Sequence, residues 1–227
     1  MTDQSKPLEG ITVVDMTRVL SGPYCAMMLA DHGARVIKIE RPGTGDDSRA
    51  FGPFYDKEAT DSVYFHFVNR GKESIALNLK DDGDREVFET LLKSADVVIE
   101  NFRPGTMAKL GYAPEDLRKK YPRLIVCSIS GFGQSGPLSK LPAYDTVIQA
   151  MSGFMSVTGF PDGPPTRAGT SIADLSAGLF GFAAVSTALA GRERTGQGTT
   201  IDVAMLDGFA GCCLRGVQDS TSSRFSF

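Results

Sequence analysis

Six short apolar runs, separated by helical stretches, constrain the fold of this chain more than any other feature. Several runs are almost continuously apolar and rich in β-branched residues, as is typical of strands covered on both faces. They cover residues 11–17, 35–41, 74–79, 96–101, 123–130 and 200–206. Proline placement, charge placement and apolar spacing predict helices over 23–33, 84–95, 114–122, about 144–153 and 172–190. The alternation predicts a doubly wound α/β fold, a mostly parallel sheet of about six strands with helices on both faces.

Length, charge and composition argue against several function classes. The 227 residues, 41% of them hydrophobic, suffice for one large domain with a sizeable core. A formal net charge of −3 favours neither a nucleic acid nor an anionic membrane as partner. Four cysteines, none in a CxxC pair, and two histidines are poor material for a metal site, so no metal is expected. The polar N-terminus resembles neither a signal peptide nor a transit peptide, so we expect a cytoplasmic protein.

Asp174 stands out because it lies between a Gly/Thr/Ser turn and a long run of small apolar residues, in AGTSIADLSAGLFGFAAVSTAL (168–189). An ionised carboxylate removed from water needs a partner or a chemical role. One interpretation is a helix cap, whose oxygen accepts N–H groups of the first turn. The other is a nucleophile or base presented at the helix N-terminus. This stretch alone leaves both open.

Two patterns bear on phosphate binding. GFGQSG (131–136) matches the dinucleotide fingerprint G-x-G-x-x-G after a strand, but Pro137 and a loop follow where a helix is required. A nicotinamide or flavin site is therefore not expected. Basic residues near predicted strand ends would suit a phosphorylated ligand, because ligands of open α/β sheets bind beyond the carboxyl ends of strands. These are Arg41, Arg70, Lys72, Lys80, Arg103 and Lys109, each of which could equally be a solvated loop cation.

Ordered blocks spanning about residues 7–208 resemble class III coenzyme A transferases, the family of formyl-CoA and carnitinyl-CoA transferases. The blocks are PLEGITVVDMTRVLSGPYCAMMLADHGARVIKIERPGTGDDSR, VNRGKESIALNLK, DVVIENFRPGTMAKLGY, CSISGFGQSGP, AYDTVIQAMSG, GPPTRAGTSIADLSAG and TGQGTTIDVAMLD. The resemblance implies a Rossmann-like large domain and a homodimer of two interlocked rings in the full-length family. It also implies transfer of CoA from an acyl-CoA donor to a free carboxylic acid. CoA and acyl-CoA are then substrates, and no permanently bound cofactor is implied.

The resemblance also implies roles for individual residues. Asp174 falls on the family's catalytic aspartate, which attacks the donor thioester to give a mixed anhydride and then carries CoA as an aspartyl thioester. The implied CoA-binding residues are Leu20, Ser21, Arg41, Leu77, Lys80, Asn101, Phe102, Arg103, Lys109, Tyr144 and Met205. Their cations would hold the phosphates of CoA. Lys109 stands where several members carry arginine, so it lacks the bidentate fork of that residue.

The family also contains α-methylacyl-CoA racemases, and their histidine aligns with the block PAYDT. This chain has Tyr144 before Asp145 there, so a His–Asp pair cannot be built and a transferase is favoured. The resemblance assigns residues 1–207 to the N-terminal portion of the large domain and leaves 208–227 as a divergent tail, with 218–227 predicted to be disordered. Because family members are longer, a truncated CoA-binding module without turnover is the alternative function. Small dicarboxylates such as succinate, glutarate or oxalate are the implied acids.

Overall fold

The computed structural model describes residues 5–211 and 213. Its strands form one sheet in the order β3-β2-β1-β4-β5-β6, and each neighbouring pair is parallel. The strands are β1 (Thr12–Asp15), β2 (Arg35–Glu40), β3 (Lys72–Ala76), β4 (Val97–Glu100), β5 (Ile125–Ser130) and β6 (Thr200–Ala204). The predicted α/β sheet is confirmed. Strand order reverses between β1 and β4, and such a reversal leaves a crevice at the carboxyl ends of the strands.

The helices lie between the strands, as the alternation predicts. They are α1 (Ser21–Asp31), α2 (Val63–Asn69), α3 (Asp82–Ser94), α4 (Thr106–Lys109), α5 (Pro114–Lys120), α6 (Asp145–Met151) and α7 (Ile172–Thr195), with 3-10 turns at Asp47–Ala50 and Phe154–Val157. Residues 205–211 form a further helix after β6. The predicted tail over 218–227 lies outside the described residues. Helix α2 was not predicted, because its run VYFHFVN consists largely of β-branched and aromatic residues that favour strands.

The strands are covered on both faces, which explains their continuous apolar runs. In β4, Val97 and Ile99 pack into the core beneath α1, α6 and α7, whereas Val98 packs into the core beneath α3, α4 and α5. Successive side chains of a strand point to opposite faces, so a strand covered on both sides has no polar alternation. The strand side chains therefore serve the core, and the loops and helix ends beyond the sheet are left to face solvent.

Small residues let α7 approach α1 closely. A Cβ atom added to Gly178 would lie 2.7 Å from the Ser21 carbonyl oxygen, and one added to Gly181 would lie 3.2 Å from Cys25 Sγ. Helix α7 is long and apolar enough to cross a membrane, but it packs against α1, β5 and β6 of this fold. The small-residue pattern thus serves helix packing, and it brings the first turn of α7 beside the start of α1.

Two buried ion pairs hold the sheet and the loop after β2 together. Lys72 Nζ lies 2.8 Å from Asp15 Oδ2, and Lys38 Nζ lies 2.8 Å from Asp46 Oδ2, with all four side chains at most 2% exposed. Lys38 Nζ also donates to the Thr17 carbonyl oxygen at 2.8 Å. The interpretation of Lys72 as a phosphate ligand is therefore wrong, because its ammonium group is buried and bonded to acceptors inside the protein.

Candidate active site

Two adjoining cavities lie beyond the carboxyl ends of the strands. The larger, of about 610 Å³, is a cleft formed by segments that follow β1, β2, β3 and β4. The smaller, of about 210 Å³, contains Asp174 and lies between the start of α1 and the loop before α6. Arg18 and Phe102 line both spaces, so an extended ligand could run from one into the other.

The N-terminus of α7 is capped by a carboxylate from α6. Asp145 Oδ1 accepts the N–H groups of Ala173 at 2.7 Å and Asp174 at 3.3 Å. Asp145 Oδ2 accepts from Gln149 Nε2 at 2.5 Å, so both oxygens of this buried group are occupied. The interpretation of Asp174 as the cap of its own helix is therefore wrong. Asp174 instead lines the smaller cavity.

The environment of Asp174 raises the pKa of its carboxyl group to about 7. Burial is the largest cause, and the negative charge of Asp145 adds to it, while a hydrogen bond with Ser21 acts in the opposite direction. At neutral pH roughly half of such a group is ionised. A half-buried carboxylate with little compensation is poised to react or to bind a proton.

The loop that places Leu20 and Ser21 at this cavity is fixed by hydrogen bonds from other segments of the chain. Val19 has φ 70°, a left-handed conformation that is costly for a β-branched residue. Its N–H donates to Asp46 Oδ1 at 3.1 Å, while Asn101 accepts the Arg18 N–H and donates to the Arg18 carbonyl oxygen, both at 2.8 Å. The N-terminus of α1 follows directly and has no side-chain cap. The contacts from Asp46 and Asn101 fix this N-terminus beside Asp174.

Most of the implied CoA-binding residues lie in these two spaces. Leu20, Ser21, Asn101, Phe102, Arg103, Tyr144 and Met205 line the smaller cavity together with Asp174. Arg41, Leu77, Lys80 and Phe102 line the larger cleft. Lys109 is exposed on α4, whose neighbouring residues Thr106 and Leu110 line the cleft.

Two further sequence interpretations can be compared with the structure. Arg70 precedes β3 at its amino end and pairs with Asp31, so it lies outside the cleft that the strand-end argument assigned to it. Residues 131–144 form a loop, and α6 begins only at Asp145, so GFGQSG does not open a helix, as expected. Gly131 instead permits close approach, since a Cβ atom there would lie 2.5 Å from the Cβ of Ala143.

Three site residues were missed in the sequence. Arg18 directly follows the first predicted strand, so the argument that selected Arg41 would also have found it. Its guanidinium lies 5.6 Å from the centre of the Phe102 ring and 3.2 Å from Asp47. Asp47 and Asp145 carried no comparable signal, because their partners are set by the tertiary fold.

Comparisons with known proteins show which family this chain resembles. A family model described as CoA-transferase family III matches residues 8–224. The acetyl-CoA:oxalate CoA-transferase of Acetobacter aceti is 58% identical over 203 residues, which are 89% of this chain and 51% of that protein. The succinyl-CoA:glutarate CoA-transferase of Mus musculus is 46% identical over 210 residues, 92% of this chain and 48% of that protein.

A solved structure shows the same fold. The CAIB/BAIF family protein from Brucella suis is 42% identical, with a TM-score of 0.91 over 99% of this chain and 60% of that one. The chain described here spans about half the length of the curated relatives it matches. The family match, the sequence identities and the shared fold lead to one conclusion: the chain belongs to CoA-transferase family III.

Proposed function

We propose that this chain transfers CoA from an acyl-CoA donor to a free carboxylic acid through a covalent adduct on Asp174. One observation carries the proposal: a carboxylate with little compensation lies in a small cavity that adjoins a larger, cation-lined cleft. A carboxylate in such a place can act as a nucleophile that divides one difficult step into several easier ones. The cations of the cleft can bind the negatively charged part of the substrate.

In the first step, an Asp174 carboxylate oxygen attacks the carbonyl carbon of the donor thioester. The C–S bond breaks, CoA leaves as the thiolate, and a mixed anhydride remains on Asp174. The thiolate then attacks the Asp174 carbonyl carbon and releases the donor acid as a carboxylate, which leaves an aspartyl-CoA thioester. The acceptor carboxylate then attacks the aspartyl-CoA thioester, which releases the CoA thiolate and leaves a mixed anhydride between Asp174 and the acceptor. The thiolate attacks the acceptor's carbonyl carbon in this anhydride, which gives the new acyl-CoA and frees the Asp174 carboxylate. No net proton is required.

The start of α1 is placed to assist these steps. Negative charge develops on a carbonyl oxygen each time a tetrahedral centre forms. The Ser21 hydroxyl already bonds the Asp174 carboxyl group, and the α1 N-terminus has no side-chain cap. The partial positive charge of a helix N-terminus stabilises an anion within its first turn. We infer that Ser21 and this N-terminus stabilise the charge that develops at Asp174.

The larger cleft is the proposed place for the nucleotide part of CoA. Arg41 and Lys80 can hold phosphates, with Arg103 and Lys109 as further cations near the two spaces. Leu77 and Phe102 offer apolar surface for the adenine and the pantetheine arm. Small dicarboxylates are the proposed acids, because similar proteins are named for oxalate and glutarate. Residues 1–207 are the proposed large-domain portion, in a protein that acts as a cytoplasmic homodimer.

The experiment is intact-mass spectrometry after incubation with succinyl-CoA and trapping with hydroxylamine. We expect a hydroxamate that maps to Asp174 in the wild type and is absent in Asp174→Ala. Asp116→Ala, which removes an exposed carboxylate from α5, is the matched control and should retain the modification. CoA binding without modification would contradict the proposal and support a CoA-binding module without turnover.

A further inference from the structure

We propose that Asp47 is an internal anion that competes with the phosphates of the ligand for Arg18 and Arg41. It would thereby weaken, and so set, the affinity of the cleft for CoA. The inference rests on the proposed function, because it takes CoA as the anion that enters this cleft. It adds a residue that sets affinity and that lies outside the implied CoA-binding set.

Asp47 bridges the two guanidinium groups with separate oxygens. Its Oδ1 accepts from Arg41 Nη2 at 2.8 Å, and its Oδ2 accepts from Arg18 Nη1 at 3.2 Å. Both arginines line the larger cleft, and both Arg18 and Asp47 line the smaller cavity. One carboxylate therefore occupies, at the junction of the two spaces, the hydrogen-bonding positions that a phosphate group would use.

The exposure of this cluster separates it from the structural ion pairs nearby. The side chains of Arg18, Arg41 and Asp47 are 36%, 55% and 48% exposed, so water screens them and they can reorient. Exposed pairs of this kind contribute little to stability. The two neighbouring carboxylates, Asp46 and Glu40, are not exposed in this way: Asp46 is buried in an ion pair with Lys38, and Glu40 is buried in an ion pair with Arg49. Asp47 is thus the carboxylate of this group that can give up its cations to an incoming anion.

The charge balance of the cleft predicts the direction of the effect. Of the charged residues that line the cleft, Lys38 and Asp46 pair with each other and Glu40 pairs with Arg49. Arg18, Arg41 and Lys80 supply the remaining three positive charges, and Asp47 neutralises part of that charge where Arg18 and Arg41 meet. CoA carries several negative charges on its phosphates, so a nearby carboxylate repels it as well as competing for its donors. Removal of the Asp47 charge should therefore tighten binding without any new contact.

The test is titration calorimetry of CoA on wild type and Asp47→Asn. The amide is nearly isosteric and its oxygen can still accept from the arginines, so the fold should be kept. We expect Kd to fall about fivefold at low ionic strength, and the difference to shrink in 0.5 M NaCl because salt screens exposed charges. Asp31→Asn is the matched control: it removes an exposed carboxylate paired with Arg70, and its Kd should equal that of the wild type.

A double-mutant cycle assigns the gain to the arginines. In the background of Arg41→Met, Asp47→Asn should tighten binding by less than twofold, because Asp47 and the phosphates then have only one guanidinium group, that of Arg18, to compete for. An unchanged or larger Kd in Asp47→Asn alone would overturn the inference while leaving the proposed function intact. Absence of CoA binding in every variant, wild type included, would overturn both.

Discussion

Carboxylates withdrawn from water occur in two parts of this protein, fully buried in one and half-buried in the other, and their pKa values shift in opposite directions because of the groups that face them. Asp15 is the last residue of β1, and Asp46 lies in the loop that follows β2. Burial alone would raise the pKa of each, but the charges of Lys72 and Lys38 outweigh it, so the pKa of both groups is lowered. Asp174 faces the carboxylate of Asp145 and the hydroxyl of Ser21, and its pKa is raised to about 7.

Asp15 and Asp46, with Lys72 and Lys38, form a structural frame, whereas Asp174 is the candidate reactive group. In the frame, each carboxylate has an ammonium partner at 2.8 Å and further hydrogen bonds, which stabilise the charged form and fix the loops. Asp174 is only half-buried, but neither Asp145 nor Ser21 supplies a positive charge to compensate for its loss of water. A carboxylate in this state binds protons and carbon electrophiles more readily, at a cost to stability.

Loss of one partner of a buried ion pair should destabilise the protein strongly. Lys38→Met would leave Asp46 buried and uncompensated, so we expect the free energy of unfolding to fall by about 3–5 kcal/mol in urea titrations at pH 7. Lys80→Met is the control, because Lys80 is an exposed cation of the cleft and its loss should change stability by less than about 0.5 kcal/mol. Equal stabilities of the two variants would show that the buried pair does not hold the frame.

The opposite sign is expected at Asp174. Because its pKa is raised on folding, the wild type has the full stabilising contribution of this group below pH 4 and loses it as pH rises from about 4 to about 7. Asp174→Asn stays neutral throughout, so it should be more stable than the wild type by about 1–3 kcal/mol at pH 8, after allowance for partial exposure. Urea titrations at pH 8 and pH 4.5 measure this difference, which should shrink at the lower pH.

The matched variant for that comparison is Asp145→Asn. Asp145 Oδ1 accepts the N–H groups at the start of α7, and Oδ2 accepts from Gln149 Nε2. In Asp145→Asn one oxygen becomes an NH2 group, so a buried hydrogen bond is lost and the protein should be destabilised at both pH values. The loss should be smaller at pH 8, where removal of the Asp145 charge also relieves the ionised Asp174. A destabilised Asp174→Asn at pH 8 would mean that Asp174 is a structural group like Asp15.

The rate of the chemical step at Asp174 should also depend on pH. Only the ionised form of Asp174 is a nucleophile, so the rate of its modification by succinyl-CoA should rise roughly 30-fold between pH 5.5 and pH 8, with a midpoint near pH 7. Mass spectrometry with hydroxylamine trapping gives the rate, and Kd values for CoA at the same pH separate reactivity from binding. A rate that is flat across this range would contradict the raised pKa.

The sheet was predictable because each strand carries its signal locally. The apolar run of β4 and the Pro and Gly residues around α1 specify their elements within a few residues. Helix α2 was not predictable in the same way, because its aromatic run favours a strand until Ser62 caps it, accepting the Phe65 N–H at 2.9 Å.

The candidate site was only partly predictable for a related reason. Asp174 stood out as a charge in an apolar helix, and the family resemblance supplied its neighbours. Its environment depends on Asp145, which is 29 positions away, and the Asp47 bridge depends on Arg18, another 29-position separation. Such contacts are set by the packing of α6 and α7 and by the loop after β2, and no local pattern in the sequence encodes them.

The most direct test is the pKa of Asp174 itself, measured by carbon-13 NMR of the aspartate carboxyl groups, with Asp174→Asn used to assign its signal. We predict a midpoint near 7 for Asp174, while Asp15 and Asp46 titrate below the usual pKa of an aspartate. A midpoint below 4 for Asp174 would contradict the account, because its carboxylate would then be stabilised like those of the frame.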